Sequence, residues 1–332
     1  MSSQNPYRTF AERMFHHDSK LIPRILEAMI GEAQAILLVQ LPGTEEEMAA
    51  KLGRPVETVR ADLSDMFRKG LAFKRTKEGV TTWRAPMNIA QFHDASILWP
   101  EASQGFYDLW RRYMEEEWPA LSAMLAGFLP RPYTRVIPVE TALDAGRSQI
   151  LAPESLRQLI EGSARVAVSR CTCRTTMKKC AAPVEVCLQI NRGADYTLER
   201  GSGREVTKEE ALAIVRRSEE AGLVHVTMNH AGSGTFICNC CGCCCQAFTM
   251  LIAHGTKLCD PSRYRPQVRA EACKGCGTCG KRCWFGAIAV GAGDVSAVAE
   301  EKCLGCGLCA AGCPEGAIAM VEARTPDFIP PK

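Results

Sequence analysis

The sequence predicts an α+β chain of several domains. A helical N-terminal part closes with a hairpin, a central α/β module is crowded with cysteine, and a C-terminal domain is built on a doubled cysteine phrase. Three observations carry that expectation. Apolar residues recur at helical spacing through the first 130 positions, and short strand-like runs alternate with helices from Thr134 onward. Eight of the nineteen cysteines fall into two copies of C-x2-C-x2-C-x3-C. The expected boundaries are 1–86, 87–132, 133–262 and 263–332.

With 332 residues the chain has room for two or three domains with real cores. Its hydrophobic fraction of 46% and charged fraction of 23% are those of an ordinary soluble protein. Nineteen cysteines are not ordinary. Met1–Lys20 lacks the charged-then-apolar pattern of a leader, and no apolar run is long enough to cross a bilayer. The expectation is therefore a cytoplasmic chain with no membrane span, in which cysteines serve as metal ligands rather than disulfides.

Leu21 to Gln40 is apolar at helical spacing, through Leu21, Ile25, Met29 and Ile36, and Pro42-Gly43 ends it. Thr44 caps a short helix with Glu45 to Glu47 in its first turn, where acids suit the helix dipole, and Gly53 breaks it. A further helix runs from Pro55 to Lys69 with Val59, Leu63, Met66 and Phe67 on one face. Gly70-Leu71 then leads into a strand at Phe73, a turn at Lys77-Glu78-Gly79 and a return strand through Trp83. Helices followed by a hairpin in this order resemble a winged helix, which implies DNA binding through Arg54, Arg60 and Arg68 and a wing carrying Lys74, Arg75 and Lys77. The helix itself argues otherwise. Glu57, Asp62 and Asp65 cancel Arg60, Arg68 and Lys69, and acids close to phosphate are costly. The domain is read as a docking or homodimerisation module, with nucleic acid not expected as a partner.

Residues 87–129 form an aromatic-rich helical connector with Phe92, Trp99, Phe106, Tyr107, Trp110, Tyr113 and Trp118. Phe106, Trp110 and Tyr113 recur at three to four residues, a stripe read as core or interdomain seam rather than as a flavin or quinone site. Pro130 and Pro132 mark a boundary.

From Thr134 a strand over Arg135–Val139 precedes a helix over Pro153–Glu161 and a strand over Arg165–Arg170. That strand runs into Cys171-Thr172-Cys173, and strand alternation would point both thiols at one site. Cys180 and Cys187 follow. A helix over Glu209–Ala221 and a hairpin of Val224–Met228 with Thr235–Cys240 repeat the helix, Gly-Leu, strand, turn, strand order of residues 56–84, as a second winged-helix-like unit would. The return strand delivers Cys238, Cys240, Cys241, Cys243, Cys244 and Cys245, six thiols in eight residues. Reduced, they would repel once ionised, and in air they would scramble, so they need a metal. With Cys171, Cys173, Cys180 and Cys187 they suffice for two iron–sulfur cubes with two thiols to spare, or for one larger, non-cubane cluster. A copper-thiolate or zinc-thiolate nest is also compatible with soft sulfur. Cys259 stands alone and is read as a free buried thiol.

The doubled phrase is Cys273, Cys276, Cys279, Cys283 and then Cys303, Cys306, Cys309, Cys313 followed by Pro314. Thiolates three residues apart in a tight loop hold three corners of an iron–sulfur cube, and the fourth must come from elsewhere. C-x2-C pairs also read as zinc sites, but two matched phrases weigh against that. Residues 266–322 closely resemble the bacterial two-[4Fe-4S] ferredoxin fold, and the Gly-Ala-Ile repeat at 286–288 and 316–318 completes its pseudo-twofold. The resemblance implies crossed ligation: Cys273, Cys276, Cys279 and Cys313 for one cluster, Cys303, Cys306, Cys309 and Cys283 for the other. Trp284 departs from the family, which usually places proline there. From about Arg165 to Met320 the chain also resembles a group of anaerobe iron–sulfur proteins with a C-x-C-R start, a CNCCGCCC phrase and a Pro-Ser linker into a two-cluster ferredoxin.

Two such clusters with their thiolates, about −2 each, would move the formal charge from +3 to roughly −1, so the basic pI does not argue for nucleic acid. The function expected is electron transfer. Two [4Fe-4S] clusters and at least one further iron–sulfur cluster would pass low-potential electrons toward a partner redox enzyme, in an anaerobe or a reducing cytoplasm. Gly201-Ser202-Gly203-Arg204 is too short for a dinucleotide loop. The alternatives are a reductase with its active site on the central cluster, using His225, His230 or Arg174, and a redox-responsive winged-helix regulator. Hairpin surface is the plainer reading of the two histidines. Whether the chain is itself an oxidoreductase is left open by the sequence.

Overall fold

The structure, a computed structural model, describes residues 5–143 and 150–331. It divides into two compact units. The first takes the chain up to Met124 with Thr175–Met177 and Glu199–Ser202, and the second takes the rest.

In the first unit, helices Pro6–Arg13, Leu21–Glu27, Glu32–Gln40, Glu45–Leu52 and Val56–Lys69 lead to a hairpin of β1 (Phe73–Lys77) and β2 (Val80–Arg84). The single helix expected over 21–40 is two. Met29 and Ile30 turn inward, each 4% exposed, and Gly31 takes an extended backbone as N-cap of the second helix. The expected cap at Thr44 is a full capping box, with the Glu47 N–H donating to Thr44 Oγ1 at 3.2 Å and the Thr44 N–H to Glu47 Oε2 at 2.8 Å. Gly43 pairs with Trp83 through two main-chain hydrogen bonds of 3.0 and 2.9 Å and adds a short third edge to the hairpin. Helices Ile89–Ile97, Gln104–Glu116 and Trp118–Phe128 follow.

The aromatic stripe is core. Phe106, Trp110 and Tyr113 are buried, and edge-to-face contacts run from Phe10 to Phe92 at 5.1 Å, to Trp110 at 4.9 Å and on to Tyr113 at 5.4 Å. Most of the cations on the supposed recognition face are matched by acids. Arg54 pairs with Asp62, Arg60 with Glu45 at 2.6 Å, Arg68 with Glu101, Lys69 with Asp65 at 2.7 Å and Lys74 with Glu199.

The second unit is built on a seven-stranded sheet of β3 (Thr134–Ile137), β4 (Val166–Arg170), β5 (Glu185–Ile190), β6 (Arg204–Glu205), β7 (Val224–Met228), β8 (Phe236–Cys240) and β9 (Cys259–Asp260), in spatial order β6-β4-β5-β8-β7-β3-β9. Every pairing is antiparallel except β3 with β9. The helix Lys208–Glu220 and the β7–β8 hairpin keep the expected order, but both strands lie inside the sheet and form no wing.

Beyond the sheet, β10 (Tyr264–Val268) pairs with β13 (Ile318–Glu322), and β11 (Ile288–Val290) pairs with β12 (Ser296–Val298). Helices Thr278–Arg282 and Leu308–Ala311 lie between them in the same pseudo-symmetric order. The stretch expected to be a linker is buried instead. Cys259–Asp260 extends the large sheet, and Arg263, 0% exposed, ion-pairs with buried Glu154 at 2.9 Å. Main-chain bonds from Val139 N to the Cys306 carbonyl and from Ser262 N to the Leu304 carbonyl, both 3.0 Å, stitch the sheet to the C-terminal domain.

Candidate metal centres

The C-terminal cysteines gather around two cavities. One is lined by Cys273, Cys276, Cys279 and Cys313, with Ser296 and Pro314. The other is lined by Cys303, Cys306, Cys309 and Cys283, with Leu304, Leu308 and Phe285. Each wall thus takes three thiols from one phrase and the last thiol of the other. The donor set and the backbone both suit a cubane. Amide N–H groups point at sulfur in matched pairs, Ala287 to Cys283 and Ala317 to Cys313, both at 3.3 Å. Ser296 donates to Cys273 at 3.5 Å and Gly305 to Cys303 at 3.4 Å.

The two cavities differ in surroundings. Cys276 is exposed, and its thiol and that of Cys273 are drawn below the ordinary value, Cys276 by the Thr278 hydroxyl and Cys273 by the amides of Ser296 and Gly275. Around the other cavity burial dominates: it pushes Cys306 up to about 12 and raises Cys303 and Cys309 as well.

Gly305 shows how closely the second wall is packed. Its φ is +64°, and a Cβ there would run into the Tyr264 carbonyl and stand 2.5 Å from Ser262 Oγ. A cluster on Cys303, Cys306 and Cys309 would lose most of its iron in Gly305→Ala, because strain of about 1–3 kcal/mol adds to a clash with backbone that cannot yield. Iron per chain and the cluster absorbance would measure that loss, and retention of both would disprove the packing account.

The ten central thiols do not converge on a single point. Their close contacts sort them into two sets. In the first, the sulfurs of Cys180, Cys241, Cys243 and Cys244 all lie within 4.8 Å of one another. Cys180 reaches them because Lys178, in the left-handed region at φ +51°, turns the chain out of the helix Thr172–Met177. In the second set the contacts form a row: Cys171 to Cys187, Cys187 to Cys238, Cys238 to Cys240, Cys240 to Cys245 and Cys245 to Cys173.

Cys171 and Cys173 do not share a strand face as expected. The β4–β5 register slips between Ser169 and Arg170, and the strand stops. Cys171 is then the N-cap of the helix that contains Cys173, so the two meet opposite ends of the row. Cys238 and Cys240 do lie on one strand, β8, and are in contact.

Arg174 stands between the sets. It is 3% exposed and donates to the carbonyls of Pro183 and Asn239, each at 3.0 Å, and to Cys241 Sγ at 3.8 Å. Burial disfavours its charge, but the neighbouring sulfurs of Cys171, Cys187 and Cys241 more than reverse that and hold it protonated. The Cys241 thiol is in turn pulled down to about 4 by its contact with Cys244 and by this guanidinium. In the row, Cys240 is held well above its ordinary value by Cys238, Cys245 and burial, and Cys245 well below by Cys173 and Cys240. Each set therefore has one sulfur, Cys241 or Cys245, at which the ionised form that binds metal is favoured.

His225, expected at the surface, is 0% exposed, with Nδ1 2.6 Å from Asn239 Oδ1 and Nε2 3.2 Å from Glu219 Oε1. Asn239 also donates to the Val186 carbonyl at 2.6 Å, so the one non-cysteine, non-glycine member of the phrase locks the strand that carries it. His230 accepts the Gly232 N–H at 2.9 Å. Cys259 is buried in β9, and burial lifts its thiol to about 12. Sequence reasoning missed Ser296, Ser262 and Asn239. None has a spacing signal, although an asparagine inside a cysteine run was a visible irregularity.

The cavities and the doubled phrase together decide the C-terminal segment. Residues 272–318 match the family model of the 4Fe-4S dicluster domain. No curated protein and no solved structure matches the chain. The dicluster domain meets the central thiols directly. Leu304, Leu308, Phe285 and Cys306 pack in one core with Cys240, Cys245 and Phe248, where Phe248 and Phe285 stand edge to face at 5.1 Å. Trp284, next to Cys283, donates its Nε1–H to the Gly222 carbonyl at 2.7 Å and covers Gly242, where a Cβ would come within 2.8 Å of the indole. No helix among the described residues is long and apolar enough to cross a membrane.

Proposed function

We propose that the chain is an iron–sulfur electron-transfer protein, in which a dicluster domain with two [4Fe-4S] clusters is joined to a further redox centre on the row Cys171, Cys173, Cys187, Cys238, Cys240 and Cys245. The observation that carries this reading is the shared core: Cys306, on the wall of the buried cavity, packs with Cys240 and Cys245 of the row. Iron–sulfur clusters held by such thiols exchange single electrons. The exposed Cys276 gives the other cavity a face toward solvent, where a redox partner would dock, and the buried cavity faces inward. Crossed ligation through Cys283 and Cys313 is supported by the membership of the two cavity walls.

The alternatives draw less support. A reductase using His225 would need that imidazole free, yet it is tied to Asn239 and Glu219. A DNA-binding regulator would need its helix cations free, yet Arg54, Arg60, Arg68 and Lys69 each face an acid. The helix order and hairpin of the first unit still suit a winged-helix-like docking or homodimerisation module.

Anaerobic reductive titration of the full chain tests the reading. Two clusters in the dicluster domain accept two electrons, one each, so the row should bring uptake to about three or more per chain. Low-temperature EPR should show magnetic interaction between the added centre and the buried cluster. Uptake that stops at two electrons would reduce the protein to a dicluster ferredoxin with non-redox thiols attached.

A further inference from the structure

The four-thiol set differs in kind from the cysteines that line the two cavities. Cys180 Sγ lies 3.8 Å from Cys241 Sγ and 3.9 Å from Cys244 Sγ, and Cys243 Sγ lies 3.8 Å from Cys244 Sγ. A single tetrahedral ion with sulfur at about 2.3 Å sets its four thiolates about 3.8 Å apart, the edge of that tetrahedron. A cube places each thiolate on a different iron at a corner, which spreads the sulfurs much further. The dicluster domain supplies the comparison within the same chain. Among the described residues, no three of its cysteines gather as tightly as Cys180, Cys241, Cys243 and Cys244 do.

We propose that Cys180, Cys241, Cys243 and Cys244 form a closed tetrathiolate site for one tetrahedral metal ion, zinc or iron, separate from every iron–sulfur cluster of the chain. Four thiolates without imidazole or carboxylate, in tetrahedral array, suit these two ions. All four positions are filled by protein, so the site has the closed form of a structural centre rather than the open form of a catalytic one. Its place in the chain agrees. Cys180 belongs to the loop after the helix Thr172–Met177, and the other three belong to the turn after β8. One ion would therefore clamp these two segments, which also carry Cys171, Cys173, Cys238, Cys240 and Cys245, five of the six thiols of the row on which the electron-transfer reading rests. Arg174, donating to Cys241, offsets part of the double negative charge of a divalent ion with four thiolates.

This assignment stands independently of the electron-transfer reading, and its test separates the two. The full chain, purified anaerobically, is analysed for zinc, iron and acid-labile sulfide, and studied by X-ray absorption at the zinc edge and by Mössbauer spectroscopy. The expected result per chain is about one zinc, with four sulfur neighbours near 2.3 Å and no second metal in the neighbouring shell at the zinc edge, or one iron in excess of sulfide that gives a mononuclear high-spin iron signal by Mössbauer spectroscopy. Cys180→Ser and Cys243→Ser, at the two half-buried positions, should each lose about that one equivalent while acid-labile sulfide stays unchanged. Zinc and excess iron both support the proposal and identify the ion. A metal–metal shell at this site, or loss of sulfide together with several irons in either variant, would overturn it, as would a wild-type chain with no metal beyond its clusters. If the serine variants fail to fold, the wild-type spectrum and metal-to-sulfide ratio still decide.

Discussion

Cys313→Ala should strip the cluster held by Cys273, Cys276 and Cys279 and leave the cluster beside Cys313 in sequence largely intact. The cavity walls carry the expectation: Cys313 lines the cavity of Cys273, Cys276 and Cys279 and is absent from that of Cys303, Cys306 and Cys309. Three thiolates hold a cube poorly, and an open corner iron is readily lost. The expected loss is therefore up to about four irons per chain, all from one site. EPR of the reduced variant should retain one cluster signal, the one from the buried cavity, and that signal should keep its interaction with the central row. Cys283→Ala is the mirror experiment. It should spare the exposed cluster and also disturb the neighbourhood of Trp284, which covers Gly242. Loss of the Cys303, Cys306 and Cys309 cluster in the Cys313 variant would mean that each phrase closes its own site.

The sequence carried the dicluster domain almost completely, because ligand spacing in a tight loop is a local property. Two copies of C-x2-C-x2-C-x3-C and the glycines beside them specify the walls of the cavities before any packing is known. The first unit was legible for the same reason: Thr44, Gly53 and Gly70 start or stop helices by local chemistry, and all three do so in the structure. What the sequence could not carry was set by contacts distant along the chain. The break at Gly31 follows from the burial of Met29 and Ile30. The 238–245 run has no spacing that tells which thiols face Cys180 and which face Cys187. That choice is made where β8 lies between β5 and β7 and where the β4–β5 register slips. Burial of the 259–264 stretch depends on Glu154, over a hundred positions earlier, meeting Arg263. The central module and the dicluster domain share one core as a result, so the row is best studied in the full chain rather than in a fragment ending near residue 260.

Arg174→Met should be a costly non-cysteine change in the central module. Methionine keeps much of the length and the apolar stem of arginine, so the comparison isolates charge and hydrogen bonding. The wild-type guanidinium serves the Pro183 and Asn239 carbonyls and the Cys241 sulfur at once, and faces the sulfurs of Cys171 and Cys187. Removing it leaves the buried Asn239 carbonyl and the Pro183 carbonyl without this donor and three sulfurs without their cation. Loss of one partner from a buried charge pair costs about 3–5 kcal/mol, because the remaining charge keeps its desolvation penalty. Binding metal at both thiol sets increases the negative charge that Arg174 faces, so the penalty should appear in metal loading as well as in unfolding. Anaerobic urea denaturation should show the lost stability, and metal analysis should show depletion at both central sets with the exposed cluster of the dicluster domain retained. Arg174→Lys should fall between the two. It restores a positive charge, but a single ammonium on a flexible stem cannot reach two carbonyls and a thiolate in the fixed fork that the guanidinium provides. A methionine variant within about 1 kcal/mol of wild type and with full metal content would show that the two sets do not depend on the cation between them.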